Sequence, residues 1–159
     1  MSSGSLRLER PRLIGRHEHR LDPQRRFTIP SQWFEQMGKP ANVYVMRSLK
    51  PKRKCLDVFA QTDLDTRMAR VRNRSMVDTR AMDFHREVSE LTVLIPVDVQ
   101  NRIRLPDDML AYAGLEGDIA LLGTDSFFEI WALQSRPRVA DDVEARVENL
   151  SNSAAEWGL

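Results

Sequence analysis

A pseudo-twofold β-barrel with added helices, mainly β and α+β in class, is the fold this sequence predicts. Three observations predict it. The chain writes one phrase twice: residues 22–30 read DPQRRFTIP and residues 98–106 read DVQNRIRLP, with four of nine positions identical. The match then extends with one clean gap. At an offset of 76, Leu21 aligns with Val97, Phe27 with Ile103, Ile29 with Leu105, Gly38 with Gly114, Val43 with Ile119 and Val45 with Leu121. At an offset of 72, Leu56 aligns with Phe128, Asp57 with Glu129, Val58 with Ile130 and Phe59 with Trp131. The third observation is that each copy reads as a unit that cannot stand alone. A strand–turn–strand–helix–hairpin leaves an open sheet edge and an uncovered apolar face, and a second copy supplies both covers.

Each element follows from local pattern. In copy two, alternation at Val93, Ile95 and Val97 predicts a half-buried strand. Asp98 starts a turn, because its carboxylate can accept from amides just downstream. The next strand puts Ile103 and Leu105 on one face and Arg102 and Arg104 on the other. Pro106 suits the start of a helix, Met109, Leu110 and Ala113 share its inner face, and Gly114 stops it. DIALLG and FFEIWAL then form a hairpin. Copy one repeats the plan with Trp33, Phe34, Met37 and Gly38. Its four extra residues fall in RSLKPKRK, a polar stretch that belongs in a loop. Between the copies, two short helices are predicted at roughly 64–74 and 77–90. After Pro137, Val139, Val143, Val147 and Leu150 recur at helical spacing. The stripe covers either the chain's own barrel, the simpler expectation, or a neighbouring copy. The chain thus divides into a flexible N-terminal extension (1–12), a first repeat (13–62), a helical connector (63–90), a second repeat (91–135) and a C-terminal amphipathic helix (136–159).

Composition bounds the function. Hydrophobic residues make up 42% and charged residues 30%, a globular balance. No stretch approaches the ~20 apolar residues of a membrane span, and MSSGSLRLERPRL lacks a signal-peptide core, so a cytoplasmic protein is expected. Cys55 is the single cysteine, which excludes an internal disulfide and a multi-cysteine zinc cluster. The net charge of +1 hides a division: residues 1–55 hold 13 Lys/Arg against 4 Asp/Glu, and residues 56–159 hold 11 against 19. A basic half attracts polyanions, and nucleic acid is the commonest in cytoplasm. The alternative is a charge-segregated, solvated surface. The histidines of HEH, His17 and His19, supply only two ligands, so packing rather than zinc is expected. His85 stands alone on a predicted helix. With no nucleophile motif, glycine-rich phosphate loop or paired carboxylates in a cleft, no enzyme, metal or cofactor is expected.

The duplicated D-x-x-x-R turn, each copy followed by strand, Pro, short helix and Gly, resembles the MraZ family. GRHEHRLD and YAGLEGDIALLGTDSFFEIWALQ carry the likeness further, and it runs from about Leu13 to Leu150. The resemblance implies a transcriptional regulator on an AbrB-like, swapped-hairpin barrel. It implies a ring-shaped homo-oligomer whose loops bind repeated elements of double-stranded promoter DNA. The promoter would control a cell-division and cell-wall gene cluster, and the protein would be cytoplasmic and nucleoid-associated. A protein–protein adaptor on the same barrel, without DNA binding, is the alternative. The motif residues are Asp22, Arg26, Asp98 and Arg102. The family often has Gly before the motif Arg, where this chain has Arg25 and Asn101. Asn accepts a left-handed backbone and Arg does so poorly, which predicts a first turn of different shape.

A guanidinium can take a phosphate oxygen pair or a guanine edge, so Arg26 and Arg102 are candidate DNA contacts, with Arg104 beside them. Alone, each would read as a solvated arginine beside a hairpin. Asp22 and Asp98 cannot favour phosphate. They are expected to cap the turns and hold the arginines. Arg25, Arg20, Lys52, Arg53 and Lys54 would add sequence-blind attraction, although KPKRK reads equally well as a disordered charged loop.

Overall fold

The computed structural model describes residues 12–50, 52–137 and 143–159. Expectations for residues 1–11, for Pro51 of the basic loop and for Val139 fall outside the described residues. Copy one forms β1 (Arg16–Arg20), β2 (Arg26–Thr28), α1 (Ser31–Gln36), β3 (Asn42–Arg47) and β4 (Leu56–Ala60). The connector forms α2 (Gln61–Arg74) and α3 (Thr79–Glu90). Copy two forms β5 (Thr92–Pro96), β6 (Arg102–Arg104), α4 (Asp107–Ala113), β7 (Asp118–Gly123) and β8 (Phe128–Ala132), and α5 (Val143–Ala154) follows.

The strand bounds of the two copies coincide at the sequence offsets. The β3–β4 loop has eight residues and the β7–β8 loop four, so the insertion sits where the gap placed it. The copies exchange strands. A six-stranded sheet runs β1-β7-β8-β4-β3-β5, and β2 pairs with β6 as a separate ribbon. The first strand of each copy therefore lies against the hairpin of the other, with His19 opposite Ile119 and Ile95 opposite Val43. The approximate twofold passes between Asp57 and Glu129, which face each other across β4 and β8, and between Phe27 and Ile103 across the ribbon. All pairings are antiparallel. Both copies feed one core: Phe27, Ile29, Trp33, Val43, Val45 and Leu56 meet Ile103, Leu105, Met109, Ile119, Leu121 and Phe128.

Local signals explain the helix ends. Gly114 ends α4 at φ +65°, a left-handed turn that costs glycine little. Asp78 caps α3 by accepting from the Arg80 amide, so the helix starts two residues later than its apolar pattern suggests. In α2, Asp63 occupies the first turn and Leu64 is buried. The helix continues directly from β4 and begins three residues earlier than expected.

Two expectations are corrected. Val93 is exposed while Ile95 is buried, because β5 is an edge strand and only part of its inner face reaches the core. The C-terminal stripe does not cover the chain's own barrel: Val143, Val147 and Leu150 are 66%, 54% and 68% exposed. The histidines behave as packing residues. The His17 ring meets Trp33 edge-on at 4.9 Å, and His19 meets Phe27 at 6.5 Å. No helix among the described residues is long and apolar enough to cross a membrane.

Candidate nucleic-acid interface

Each D-x-x-x-R loop is closed by its own aspartate. Asp22 Oδ1 accepts from the amides of Gln24 (2.9 Å) and Arg26 (2.8 Å), and Oδ2 accepts from Arg26 Nε at 2.8 Å. Asp98 repeats the pattern, with Gln100 N, Arg102 N and Arg102 Nε each at 2.9 Å. The spacing dictates this. A four-residue turn brings the amide at i+4 back to the Asp side chain, and only an arginine there offers both an amide and a side-chain Nε. The Arg26 and Arg102 amides are the first cause holding the two carboxyls below the usual aspartate range, with their guanidinium bonds and charge adding to it. The clamp engages Nε, and the terminal nitrogens of both guanidiniums have no hydrogen-bond partner among the described residues.

The turns also lock the two copies together. Arg25 and Asn101 both have a left-handed backbone, at φ +62° and +61°. Their carbonyls accept from the opposite copy: Leu105 N donates to Arg25 O at 3.1 Å, and Ile29 N to Asn101 O at 2.9 Å. The first turn therefore has the same shape as the second, contrary to expectation. The crossed hydrogen bonds and the clamp over-determine the backbone, so Arg25 adopts a conformation that costs roughly 1–2 kcal/mol.

The ribbon brings both arginines onto one face. Arg26 lies opposite Arg104, and Thr28 opposite Arg102. Phe27 and Ile103 point the other way into the core, which fixes the polar face outward. Arg26 and Arg102 are half-buried, while Thr28 and Arg104 are exposed. Thr28 was not singled out by sequence reasoning. Its signal was its alignment with Arg104 at the offset of 76.

Other candidate residues are placed differently. Arg25 Nη1 pairs with Asp107 at 2.7 Å on α4, and Arg20 Nη1 with Asp118 at 2.9 Å. Lys54 lies 5.9 Å from the Tyr112 ring on the same helix. Arg53 turns toward the sheet, 3.4 Å from Glu129 and 5.3 Å from the Trp131 ring. Lys52 is exposed. Among the described residues of KPKRK, Arg53 thus packs on the barrel, while Lys54 stays exposed beside Tyr112.

One buried polar cluster was missed. Cys55, Asp57 and Glu129 converge at the centre of the sheet's outer surface, with ligating atoms within 4.8 Å of one another. Glu129 accepts from Trp131 Nε1 at 2.9 Å. Burial and the Glu129 charge push the Asp57 carboxyl up to about 7, and burial pushes the Cys55 thiol up to about 12. The signal was available: acidic residues align at 57 and 129 inside two apolar strands.

No family model matches the chain. Full-length relatives do. The chain is 24% identical over 148 residues to the protein named "Transcriptional regulator MraZ" from Mycoplasmopsis pulmonis, covering 92% of this chain and 97% of that one. For the protein of the same name from Thermomicrobium roseum, identity is 28% over 142 residues, covering 89% and 96%. For that of Kineococcus radiotolerans it is 27% over 132 residues, covering 82% and 88%. The duplicated Asp-clamped loop, the exchanged sheet that carries it and similarity along nearly the whole length agree: the chain is similar, end to end, to proteins named transcriptional regulator MraZ.

Proposed function

We propose that this protein is a transcriptional regulator, not an enzyme, and that it binds double-stranded promoter DNA through the β2–β6 ribbon and its two loops. One observation carries the reading: two arginines, held by identical carboxylate clamps, stand on one outward face with their terminal nitrogens open. A two-stranded ribbon fits the DNA major groove, and an arginine can take guanine O6 and N7 together. Asp22 and Asp98 act by fixing the direction of those donors, which reduces the ordering cost of each contact. Arg104 is free to meet phosphate. Arg25, Lys52, Arg53 and Lys54 contribute sequence-blind attraction, weakened for Arg25 and Arg53 by their carboxylate partners.

In the same reading the protein forms a ring, so that successive subunits meet successive promoter repeats upstream of a cell-division and cell-wall gene cluster, in the nucleoid. A shared ring multiplies weak single contacts into useful avidity. The adaptor reading gains no specific observation, since it gives no reason for two clamps of one geometry. The test is a gel shift with DNA from just upstream of the protein's own gene, across a salt series. Binding that prefers this DNA and weakens steeply with salt is expected. Equal affinity for scrambled DNA would refute sequence reading, and an intact oligomer without DNA affinity would select the adaptor.

A further inference from the structure

The two nine-residue phrases share four identities: Asp, Gln, Arg and Pro. Three of them have structural work. Asp22 and Asp98 close the loops, Arg26 and Arg102 are held by them, and Pro30 and Pro106 lead into α1 and α4. The fourth pair, Gln24 and Gln100, has none. Both residues are exposed, and their side-chain amides make no hydrogen bond among the described residues. One exposed glutamine is an ordinary surface residue. Here the same free amide recurs at the same position of two loops of one shape, while the next residue is not kept, being Arg25 in one copy and Asn101 in the other. The backbone beneath each glutamine is also fixed. The Gln24 and Gln100 amides donate at 2.9 Å to the same Asp22 or Asp98 oxygen that accepts from the amide of the motif arginine. One carboxylate oxygen thus sets the positions from which both side chains leave the loop.

We propose that Gln24 and Gln100 are specificity residues that read adenine in the major groove. This rests on the DNA reading of the ribbon and extends it from the arginines to the loops themselves. Hydrogen-bond chemistry separates the two residue types. Adenine offers one acceptor, N7, and one donor, N6, which a carboxamide matches with its NH2 and its oxygen. Guanine offers two acceptors, O6 and N7, which a guanidinium matches with two donors. A carboxamide carries no charge, so it adds nothing to the counterion release that drives phosphate binding. A loop that needed only backbone attraction would be served better by lysine or arginine at this position. Each loop therefore carries one reader for each purine, a glutamine for adenine and an arginine for guanine, two residues apart in the chain.

The experiment compares the full chain with Gln24→Met and Gln100→Met, which keep the length of the side chain and remove its amide. Both positions are exposed, so the barrel is left untouched. The probes are duplexes from just upstream of the protein's own gene, with each A·T pair replaced in turn by G·C, and with single adenines replaced by 7-deazaadenine, which lacks the N7 acceptor. The wild type should lose about tenfold in affinity for each adenine contact removed, by either replacement. Each variant should bind the unaltered duplex more weakly and be indifferent at the adenines its glutamine had read. It should keep its discrimination at G·C pairs and its salt slope. Variants that retain every adenine preference of the wild type would overturn the assignment. So would variants that lose affinity equally for upstream and scrambled DNA, since that result places the amides on the backbone. In both cases the wild type still prefers the upstream DNA, and the DNA reading stands. A wild type with no preference for upstream over scrambled DNA would overturn sequence reading by the ribbon, and the glutamine assignment with it.

Discussion

Asp22 and Asp98 each bring a negative charge that repels DNA, yet each organises the loop that displays an arginine. The two effects oppose each other, and the hydrogen-bond geometry decides between them. Three bonds to one carboxylate fix both the turn and the guanidinium. Asp22→Ala and Asp98→Ala are therefore expected to weaken DNA binding although each makes the protein more positive. Fluorescence anisotropy at matched oligomer size checks this, and tighter binding by either variant would show that charge outweighs positioning. The clamp also sets an acid limit. With folded values below the ordinary 3.8, the stabilisation these carboxylates give is present above that value and lost as pH falls through the folded value. Asp57 has the opposite sign. Its folded value of about 7 exceeds 3.8, so its contribution is full below 3.8 and is lost as pH rises through about 7. Asp57→Asn should raise stability at pH 8 by about 1–3 kcal/mol and flatten the fall between pH 4 and 7. Chemical denaturation at several pH values is the measurement, and a variant less stable than wild type at pH 8 would contradict the burial argument.

At the scale of elements, the pairing of β2 with β6 converts two separate motifs into one surface. The mutual packing of the two copies was legible in the repeat, and the exchange of strands was implied by the family resemblance. Equal offsets required equal elements, and open edges required mutual cover. The shape of the first turn was not legible, because Arg25 argues locally for a right-handed backbone. The crossed bonds from Leu105 and Ile29 are long-range and override that preference. The fate of the α5 stripe was equally hidden, since periodicity tells which face is apolar and not what covers it. The Asp78 cap was readable, but the apolar pattern pointed to a start two residues before the helix's first residue, Thr79. Close packing at the sheet border yields a prediction. A Cβ at Gly123 would lie 2.2 Å from the Leu13 carbonyl oxygen, a backbone atom that cannot swing aside. Gly123→Ala should part β7 from the Leu13 segment and cost about 1–3 kcal/mol, read as a lowered thermal midpoint. An unchanged midpoint would mean that this segment yields freely.

At the scale of the whole molecule, the approximate twofold gives two clamps of one geometry, so neither arginine is structurally favoured. What differs is the neighbour across the ribbon: Arg26 faces Arg104, while Arg102 faces Thr28. Arg26→Ala and Arg102→Ala should each reduce discrimination between operator and random DNA by roughly 1–3 kcal/mol for every base pairing that the guanidinium made. Arg104→Ala, which removes an exposed and unclamped cation, should weaken both DNAs alike. It should also lower the log–log salt slope by about 0.9 for each phosphate that the side chain had neutralised. The central claim is that clamped arginines read DNA. Its most direct test is the affinity of the wild type, Arg26→Ala and Arg102→Ala for upstream and scrambled DNA across a salt series, with oligomer size checked throughout. Both variants should keep their assembly and lose preference for the upstream DNA. Unchanged affinity and preference in both would contradict it, leaving the duplicated loop as a structural lock between the two halves of the barrel.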